Sequence, residues 1–419
     1  MDIFEKIDRL MQTDLGQYAD MTYHYFSFPI LEGEIGPRMR FRGKECLNWS
    51  LNNYLGLANH PEVRQTDAEA AAQYGFAYPM GSRMLTGNTK YHEQFEKEVA
   101  EFCQKEDAYL MNFGYQACVS IIQAITDRRD VIVYDQLCHA CIIDGMSLSL
   151  AKRFMFAHND MAQLEDRLQK AQKIVEQTGG GILVITEGVF GMKGDTGRLD
   201  LIAALKKKYN FRIMIDDAHG FGIMGKTGAG THEHYNVVNE IDIYFATFAK
   251  SMAMIGSFVC ADKKVIKFMK YNLRSQIYAK SLPLALTIGA LKRLELIRKH
   301  PEYREHLWNI VHAIQGGLRE RGFELGFTDT PVTPVYMSGN PIEAYNLGVD
   351  LRENYNLFVS IVTYPVIEKG KIILRIIPTA AHTMEDVEKT LEIFTIVSEK
   401  MKSGYYNSYQ PDFSVLQER

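Results

Sequence analysis

Short apolar runs alternate with longer stretches of helical periodicity through the middle of the chain. In residues 91–103, for example, Phe95, Val99 and Phe102 fall on one helical face, which is typical of an amphipathic helix. The apolar runs are short enough for strands, and they are residues 108–113, 131–134, 181–186, 212–215, 243–248 and 257–261. Because strands that alternate with helices usually pair in parallel, the pattern predicts an α/β fold with a mainly parallel central sheet and helices on both faces.

The pattern also divides the chain along its length. Residues 61–297 contain the alternation and are predicted to form a central domain, preceded by an N-terminal segment at 1–60 with a helix-like start. A helix-like stretch at 284–299 leads into a smaller α+β C-terminal domain at 298–402. The polar tail at 403–419 is expected to be loosely held.

Composition narrows the class of protein. A hydrophobic content of 46% with 23% charged residues is that of a soluble globular enzyme, and the net charge of −4 gives no reason to expect a nucleic-acid partner. No apolar run approaches the roughly 18 residues of a membrane span, and the first residues do not resemble a secretory signal. The apolar face of the first helix-like stretch leaves open a peripheral membrane contact or burial in a dimer.

The cysteines predict neither disulfides nor a metal site. Six cysteines in a chain of 419 residues do not form a disulfide framework, so the expected location is the reducing cytoplasm. Cys138 and Cys141 flank His139 and offer half of a zinc site, but no second Cys/His pair completes it. We therefore expect no metal.

Candidate catalytic groups follow the apolar runs. Asp135, Glu187, Asp216 and Lys250 each lie at or just after the end of a run, and ligands of parallel sheets collect at the carboxyl ends of strands. A lysine flanked by small residues can form a Schiff base, and an aspartate can hold a protonated pyridine nitrogen. Lys250 and Asp216, with His219 three residues further on, predict a pyridoxal phosphate (PLP) site, in which PLP is the electron sink. The alternatives are an exposed lysine and an ordinary acidic turn.

The order of several short motifs resembles that of the α-oxoamine synthases, which are fold-type I PLP enzymes. Each motif is weak alone, but the ordered set is specific, and it covers roughly residues 45–385. The motifs are Asn53-Tyr-Leu-Gly-Leu-Ala-Asn-His-Pro61, Gly81-Ser-Arg83, Gly87-Asn88, Thr186-Glu-Gly-Val-Phe190, Asp216-Asp-Ala-His219, Gly225-Lys-Thr-Gly-Ala-Gly230, Thr247-Phe-Ala-Lys250 and Leu374-Arg375.

The resemblance implies a role for each residue around the PLP ring. Lys250 would hold PLP as an internal aldimine and then act as a base, which suits a lysine whose pKa is lowered by burial. Asp216 would keep the ring nitrogen protonated, although such a residue could also be a helix cap. His139 would stack on the ring face, and His219 would lie near the phenolic oxygen of PLP or the substrate carboxylate. Glu187 is expected to line the same site.

The resemblance also assigns the phosphate site. The backbone amides of Gly114 and Tyr115 open a helix-like stretch and would receive the phosphate, because unpaired N–H groups at a helix start suit an anion. Thr247 would add a hydroxyl group. In the family, the segment that holds Ala279 and Lys280 lies near the phosphate of the partner subunit.

Four residues are predicted to bind the substrate. Arg375 would clamp the amino-acid carboxylate, since its planar guanidinium matches two oxygens. Asn53, Arg83 and Lys280 would also contact the substrate. The plainer interpretations are a surface arginine in a strand for Arg375 and a solvent-facing lysine for Lys280.

The implied reaction is a decarboxylative Claisen condensation. The amino acid would lose its Cα proton to give a carbanion delocalised into PLP, which attacks an acyl thioester of CoA or acyl carrier protein. Loss of carbon dioxide then leaves a 2-amino ketone. A homodimer is expected, because family sites take residues from both subunits.

Some residues depart from the pattern of the serine palmitoyltransferases, the long-chain branch that the sequence otherwise resembles. Gly191 stands where a serine is usual, Ser257 where a glycine is usual, and Lys280 where a small residue is usual. An added cation suits a doubly anionic amino acid, and the sequence also resembles the cysteate acyltransferases of sulfonolipid synthesis. L-cysteate is therefore favoured, with L-serine close behind. The alternatives are a short-chain enzyme, such as 2-amino-3-ketobutyrate CoA ligase or 8-amino-7-oxononanoate synthase, and a non-catalytic PLP-binding partner subunit.

Overall fold

The computed structural model of the chain describes residues 2–13, 16, 22–363, 367 and 370–410. Its strands, in chain order, are β1 (Leu31–Glu32), β2 (Arg38–Phe41), β3 (Lys44–Asn48), β4 (Asp107–Met111), β5 (Val131–Asp135), β6 (Lys152–Phe156), β7 (Ile182–Glu187), β8 (Arg212–Asp216), β9 (Ile243–Thr247), β10 (Ser257–Ala261), β11 (Thr333–Ser338), β12 (Leu357–Phe358), β13 (Ser360–Val362) and β14 (Lys371–Ile376). Its helices are α1 (Ile3–Met11), α2 (Pro61–Tyr74), α3 (Lys90–Phe102), α4 (Gly114–Ile125), α5 (Ala140–Leu148), α6 (Met161–Thr178), α7 (Leu199–Leu205), α8 (Thr231–His234), α9 (Lys263–Asn272), α10 (Arg274–Ile277), α11 (Leu284–Lys299), α12 (Pro301–Glu320), α13 (Pro341–Asn354), α14 (Met384–Lys402) and α15 (Tyr405–Ser408).

A seven-stranded sheet lies at the centre of the molecule, in the order β4-β10-β9-β8-β7-β5-β6. Neighbouring strands pair in parallel from β9 to β6, and β10 is inserted antiparallel between β9 and β4. Buried apolar clusters cover both faces of the sheet. The predicted α/β fold with a mainly parallel central sheet is therefore confirmed.

Alternate side chains of the central strands enter two different cores. In β7, Val184 belongs to the core on one face and Ile185 to the core on the other, and Ile215 and Met214 divide in the same way in β8. Every residue of β7, β9 and β10 is buried. Because both sides of these strands need apolar residues, they form unbroken apolar runs in the sequence.

The edge strand β6 was not predicted. Its first two residues, Lys152 and Arg153, are exposed, and only its last residue is fully buried. In the central sheet it pairs with β5 alone. An edge strand needs no apolar run, so the hydrophobic pattern carried too weak a signal.

Capping residues set the helix ends. The Asp160 side chain accepts a hydrogen bond of 2.9 Å from the backbone of Gln163 at the start of α6, and Gly179 ends that helix with a left-handed φ of 71°. Thr383 and Asp386 form a reciprocal capping box at the start of α14. The side chains of Asp160 and Thr383 satisfy N–H groups that the helix start leaves unpaired, and the Gly179 N–H donates to the Val175 carbonyl at the other end.

The N-terminal segment packs with the C-terminal part of the chain. Strand β3 pairs in parallel with β12, through Leu47 opposite Leu357. The C-terminal sheet, β11-β14-β13, is antiparallel and packs with Trp49 in one core. The predicted boundary at residue 60 therefore separates stretches of sequence rather than independent structural units.

The first part of the predicted tail is packed. Within α15, Tyr406 is buried, and its hydroxyl donates to Asp350 at 2.7 Å. Residues 405–408 thus differ from the loose extension that was expected, while 411–419 lie outside the described residues. Among the described helices, none is both long and apolar enough to span a membrane.

Replacing Phe258 by alanine should destabilise the protein by about 3–5 kcal/mol, because a large buried side chain leaves a cavity. Phe258 has no exposed surface and lies 4.9 Å from Phe221, centroid to centroid. Urea denaturation followed by circular dichroism would measure the change. Phe327→Ala, at a residue that is 78% exposed, is the matched control and should change stability little. Equal effects of the two variants would contradict this description of the core.

Candidate active site

Polar side chains collect at the carboxyl edge of the central sheet. Asp135, Glu187 and Asp216 are the last residues of β5, β7 and β8, and Glu187 is registered opposite Asp216. Lys250 follows β9 in a turn, and its charge acts on both Glu187 and Asp216. The structure therefore brings Lys250, Asp216 and Glu187 to one site.

Burial sets the protonation of these groups. It lowers the pKa of Lys250, against the opposing charges of Asp216 and Glu187. Burial raises the pKa of Asp216, and the charge of Lys250 counteracts this rise. For Glu187, burial raises the pKa well above its ordinary value and the neighbouring Asp216 raises it further. Two adjacent buried carboxylates resist ionising together, and the charge of Lys250 favours the anionic form of Asp216.

His139 is joined to both carboxyl groups. Its backbone N–H donates to Glu187 Oε1 at 2.6 Å, and its ring Nδ1 lies 3.1 Å from Cys141 Sγ. The Cys141 thiol in turn donates to Asp216 Oδ2 at 3.7 Å. His139 is an exposed residue at the N-terminus of α5.

The N-terminus of α4 forms an anion-binding corner. Phe113 precedes the helix and offers no side-chain cap to its first N–H groups. A Cβ atom on Gly114 would lie only 2.8 Å from Thr247 Oγ1, so glycine allows the helix start to approach this hydroxyl closely. Tyr115 follows, and its hydroxyl donates to Asp144. Free amides and a nearby hydroxyl fit the phosphate of PLP.

The opposite side of the site holds Arg375 and His219. Arg375 Nε donates to the Gly191 carbonyl at 2.7 Å, and its Nη2 donates to Asn52 Oδ1 at 3.4 Å. His219 Nδ1 lies 2.8 Å from the hydroxyl of Tyr54. The charge of Arg375 acts on both Lys250 and His219.

Two predicted substrate residues have other partners. The Arg83 guanidinium is buried and binds Glu96 at 2.8 Å and Asn88 at 2.8 Å. The Asn53 side chain is buried and accepts from the backbone of Ala58 at 3.2 Å. It is therefore Asn52, rather than Asn53, that contacts the guanidinium of Arg375. Substrate contacts of Arg83 and Asn53 stay predictions.

Ala279 and Lys280 follow the short helix α10 near the start of α4. The Asn112 side chain donates to the Lys280 carbonyl at 2.5 Å, which ties this segment to the residues before the phosphate corner. The Lys280 side chain is exposed. The backbone of the segment is thus next to the residues before the phosphate corner, while the Lys280 side chain extends into solvent.

A buried network supports the loop that carries His139. His158 lies between Asp135, 3.0 Å from its Nδ1, and Asp195, 2.8 Å from its Nε2. Asp135 also accepts from the backbone of Leu137 at 2.8 Å, which fixes the turn before His139. Burial lowers the pKa of His158, but the two carboxylates outweigh it and raise the pKa to about 9.

Several of these contacts could not be read from the sequence. Asn52 and Tyr54 flank a recognised motif position, but the motif does not tell which of the two neighbouring asparagines reaches Arg375. Asp195 has no spacing signal, because its pairing with His158 exists only in the folded chain. Cys141 was seen as a potential zinc ligand, and the structure instead places it between His139 and Asp216.

Known proteins resemble the chain over nearly its full length. The family model for aminotransferase class I and II matches residues 44–394. The chain is 56% identical to the cysteate-C-fatty acyltransferase of Capnocytophaga ochracea, over 99% of this chain and 98% of that protein. It is 35% identical to the serine palmitoyltransferase of Bacteroides ovatus, over 92% and 96%. A serine palmitoyltransferase solved with a PLP internal aldimine superposes with a TM-score of 0.87 and 27% identity, covering 95% of this chain and 99% of that one.

Fold and site together define a fold-type I PLP enzyme: a buried carboxylate suits the ring nitrogen, an imidazole the ring face and a helix start the phosphate. The chain belongs to the aminotransferase class I and II family, and among its members to the α-oxoamine synthases. It is a PLP-dependent acyltransferase. The predicted family, enzyme class and cofactor are therefore confirmed.

The His158 network should make the protein less stable at alkaline pH. Because the folded pKa of about 9 exceeds the ordinary value of 6.5, the stabilisation is complete below pH 6.5 and disappears as the pH rises through 9. The wild-type free energy of unfolding should fall by about 3 kcal/mol over this range.

Urea denaturation of wild type and His158→Gln at pH 6 and pH 9.5 would measure this slope. The variant should be less stable at pH 6 and should lose most of the pH dependence, whereas His312→Gln, at an exposed residue, should keep it. An unchanged slope in His158→Gln would contradict the charged network.

Proposed function

We propose that the enzyme condenses L-cysteate with a long-chain acyl thioester to form a 3-oxo long-chain base for sulfonolipid synthesis. The observation that carries this proposal is the 56% identity to a cysteate-C-fatty acyltransferase over nearly both whole chains, against 35% to a serine palmitoyltransferase. The amino acid loses its carboxyl group as carbon dioxide, a carbon–carbon bond forms between Cα and the acyl carbonyl, and the thiol of CoA or acyl carrier protein leaves.

The residues at the strand ends have the properties that this reaction needs. Bound PLP supplies an electron sink for the negative charge that develops at Cα. Lys250, whose pKa is lowered by burial, is the proposed base that removes the Cα proton. Asp216 is the proposed partner of the ring nitrogen, and His139 the residue that covers the ring face. The presence of both Lys250 and Asp216 in one buried site supports a catalytic subunit rather than an inert one.

Arg375 is the proposed binding site of the amino-acid carboxylate. Its Nε is engaged by the Gly191 carbonyl, which fixes the plane of the guanidinium. Burial lowers the pKa of Arg375, yet an arginine stays charged at neutral pH. A fixed, poorly hydrated cation binds a carboxylate strongly.

The sulfonate of L-cysteate needs a further cation or donor, because a permanent charge is costly to remove from water. Lys280 is the proposed cation, and its exposed ammonium would act on the site of the partner subunit. L-serine is the second candidate, favoured by the structural match to a serine palmitoyltransferase. All six cysteines are buried and free, which supports a cytoplasmic location.

A homodimer is proposed because one connected surface beside the site is apolar. Residues 76–85 and 278–284 are joined by a hydrogen bond of 2.9 Å from Ser281 N to the Gly81 carbonyl. On this surface Met80 is 76% exposed, Leu85 80% and Tyr278 77%. Exposed apolar side chains that cluster in this way are unlike the singly scattered ones of an ordinary surface. A second copy of the chain would cover them.

The substrate assignment is tested by turnover. Purified holoenzyme with palmitoyl-CoA should form product faster from L-cysteate than from L-serine, L-alanine or glycine, followed by product mass. Octanoyl-CoA and acetyl-CoA should be poorer acyl donors. Lys250→Ala should lose the visible absorbance of the bound cofactor and all turnover. Faster turnover with L-serine would reject the sulfonate assignment, and full activity of Lys250→Ala would reject the site.

Shared active sites are tested by mixing two inactive variants. Lys250→Ala removes the base, and Ala279→Glu places a negative charge where the partner's phosphate is expected. Random exchange of subunits should restore about one quarter of wild-type activity, since half of the dimers are mixed and each mixed dimer has one intact site. Each variant refolded alone should stay inactive. No recovery in the mixture would contradict the shared arrangement.

A further inference from the structure

Two buried thiols adjoin Asp216, and the proposed reaction uses neither of them. Cys118 lies on α4 and Cys141 in the first turn of α5, and their sulfur atoms and a carboxylate oxygen of Asp216 all lie within 4.8 Å of one another. Both cysteines are free, and Cys118 has no exposed surface. The site therefore contains buried hydrogen-bond donors that have no role in the chemistry described so far.

The hydrogen bonds among these groups run toward the carboxylate. A hydrogen bond from the Cys118 thiol lowers the pKa of Cys141, and the same bond raises the pKa of Cys118 well above its ordinary value, so Cys118 keeps its proton and is the donor. The Cys141 thiol donates in turn to Asp216 Oδ2 at 3.7 Å. Because a hydrogen bond donated to a carboxylate favours its charged form, the thiol opposes the increase that burial causes in the pKa of Asp216.

Cys141 also holds the ring of His139. The backbone N–H of Cys141 donates to His139 Nδ1 at 3.3 Å, and the Cys141 sulfur lies 3.1 Å from the same nitrogen. His139 is thus the N-cap of α5, and one residue binds its imidazole through both the main chain and the side chain. The orientation of this ring therefore depends on Cys141.

The two thiols join three elements that are proposed to hold different parts of PLP. Helix α4 carries Cys118 and begins at the phosphate corner, α5 begins directly after His139, and β8 ends at Asp216. Both cysteines also belong to the apolar core on this face of the sheet. A thiol packs like a small apolar side chain and still donates a hydrogen bond, which suits a position between two apolar helices and a carboxylate.

We propose that Cys141, itself held by Cys118, is a positioning residue that keeps Asp216 anionic toward the ring nitrogen of PLP and sets the orientation of His139. This inference rests on the proposed roles of Asp216 and His139. Cys141 acts through these two side chains and takes no part in the bond changes of the reaction.

The test compares Cys141→Ala with Cys141→Ser. The alanine variant lacks the donor, so the dissociation constant of PLP, from titration of the apoenzyme followed by absorbance, should rise about tenfold, the size expected for one hydrogen bond to a charged group. In the cofactor-saturated enzyme, kcat should fall by a similar factor, and the absorbance spectrum of the bound cofactor should change. Serine supplies a hydroxyl donor, so it should restore the dissociation constant and kcat to within about threefold of wild type.

The matched control is Cys46→Ala, at a buried thiol of β3 that donates to the Met39 carbonyl at 3.2 Å. It should keep the wild-type dissociation constant of PLP, whereas Cys118→Ala should raise it, though by less than Cys141→Ala. Wild-type PLP binding and kcat in Cys141→Ala, or a loss of the same size in the serine variant, would overturn the positioning role. If Asp216→Asn also binds PLP like wild type, the proposed role of Asp216 itself fails, so the two failures are distinguishable.

Discussion

The removal from water of one lysine and two carboxyl groups is the constraint on which the rest of the site depends. Asp216 and Glu187 are buried at the ends of adjacent strands, and Lys250 is half-buried shortly after the next strand, so little bulk solvent is available to stabilise their charges. The low dielectric makes each charge depend on the others: it lowers the pKa of the lysine and raises the pKa of both carboxyl groups. Burying three ionisable side chains together lowers the free energy of unfolding, and such clusters are typical of catalytic centres.

The central sheet explains how such a group can be held. Apolar side chains fill both faces of β7, β8 and β9, and they fix the strand ends to which the polar residues belong. The supporting contacts come from residues that follow the strands: the thiol of Cys141, the backbone of His139 and the network around His158. The strands set the positions of the polar residues, and the segments after the strands supply the hydrogen bonds.

The sequence was sufficient for the parts of the structure that repeat or that belong to a motif. The buried strands were predicted from their apolar runs. Lys250 and Asp216 were predicted as site residues because they come directly after such runs. The edge strand β6 was not predicted, because its exposed residues give no periodic hydrophobic pattern. Asn52 could not be told from Asn53, since the side chains of neighbouring asparagines in an irregular segment point in directions that only tertiary packing decides. For the same reason the Tyr54–His219 bond was missed, because its partners are 165 positions apart.

The contact between Asn52 and Arg375 joins residues that are 323 positions apart, and β3 pairs with β12 over a similar distance. During synthesis, the carboxylate pocket therefore cannot form until almost all of the chain has left the ribosome. Until then β3 can pair with β2 but not with β12, and its open edge is an aggregation hazard in the unfinished chain. Synthesis of the C-terminal lobe is thus the step that commits the polypeptide to a working pocket.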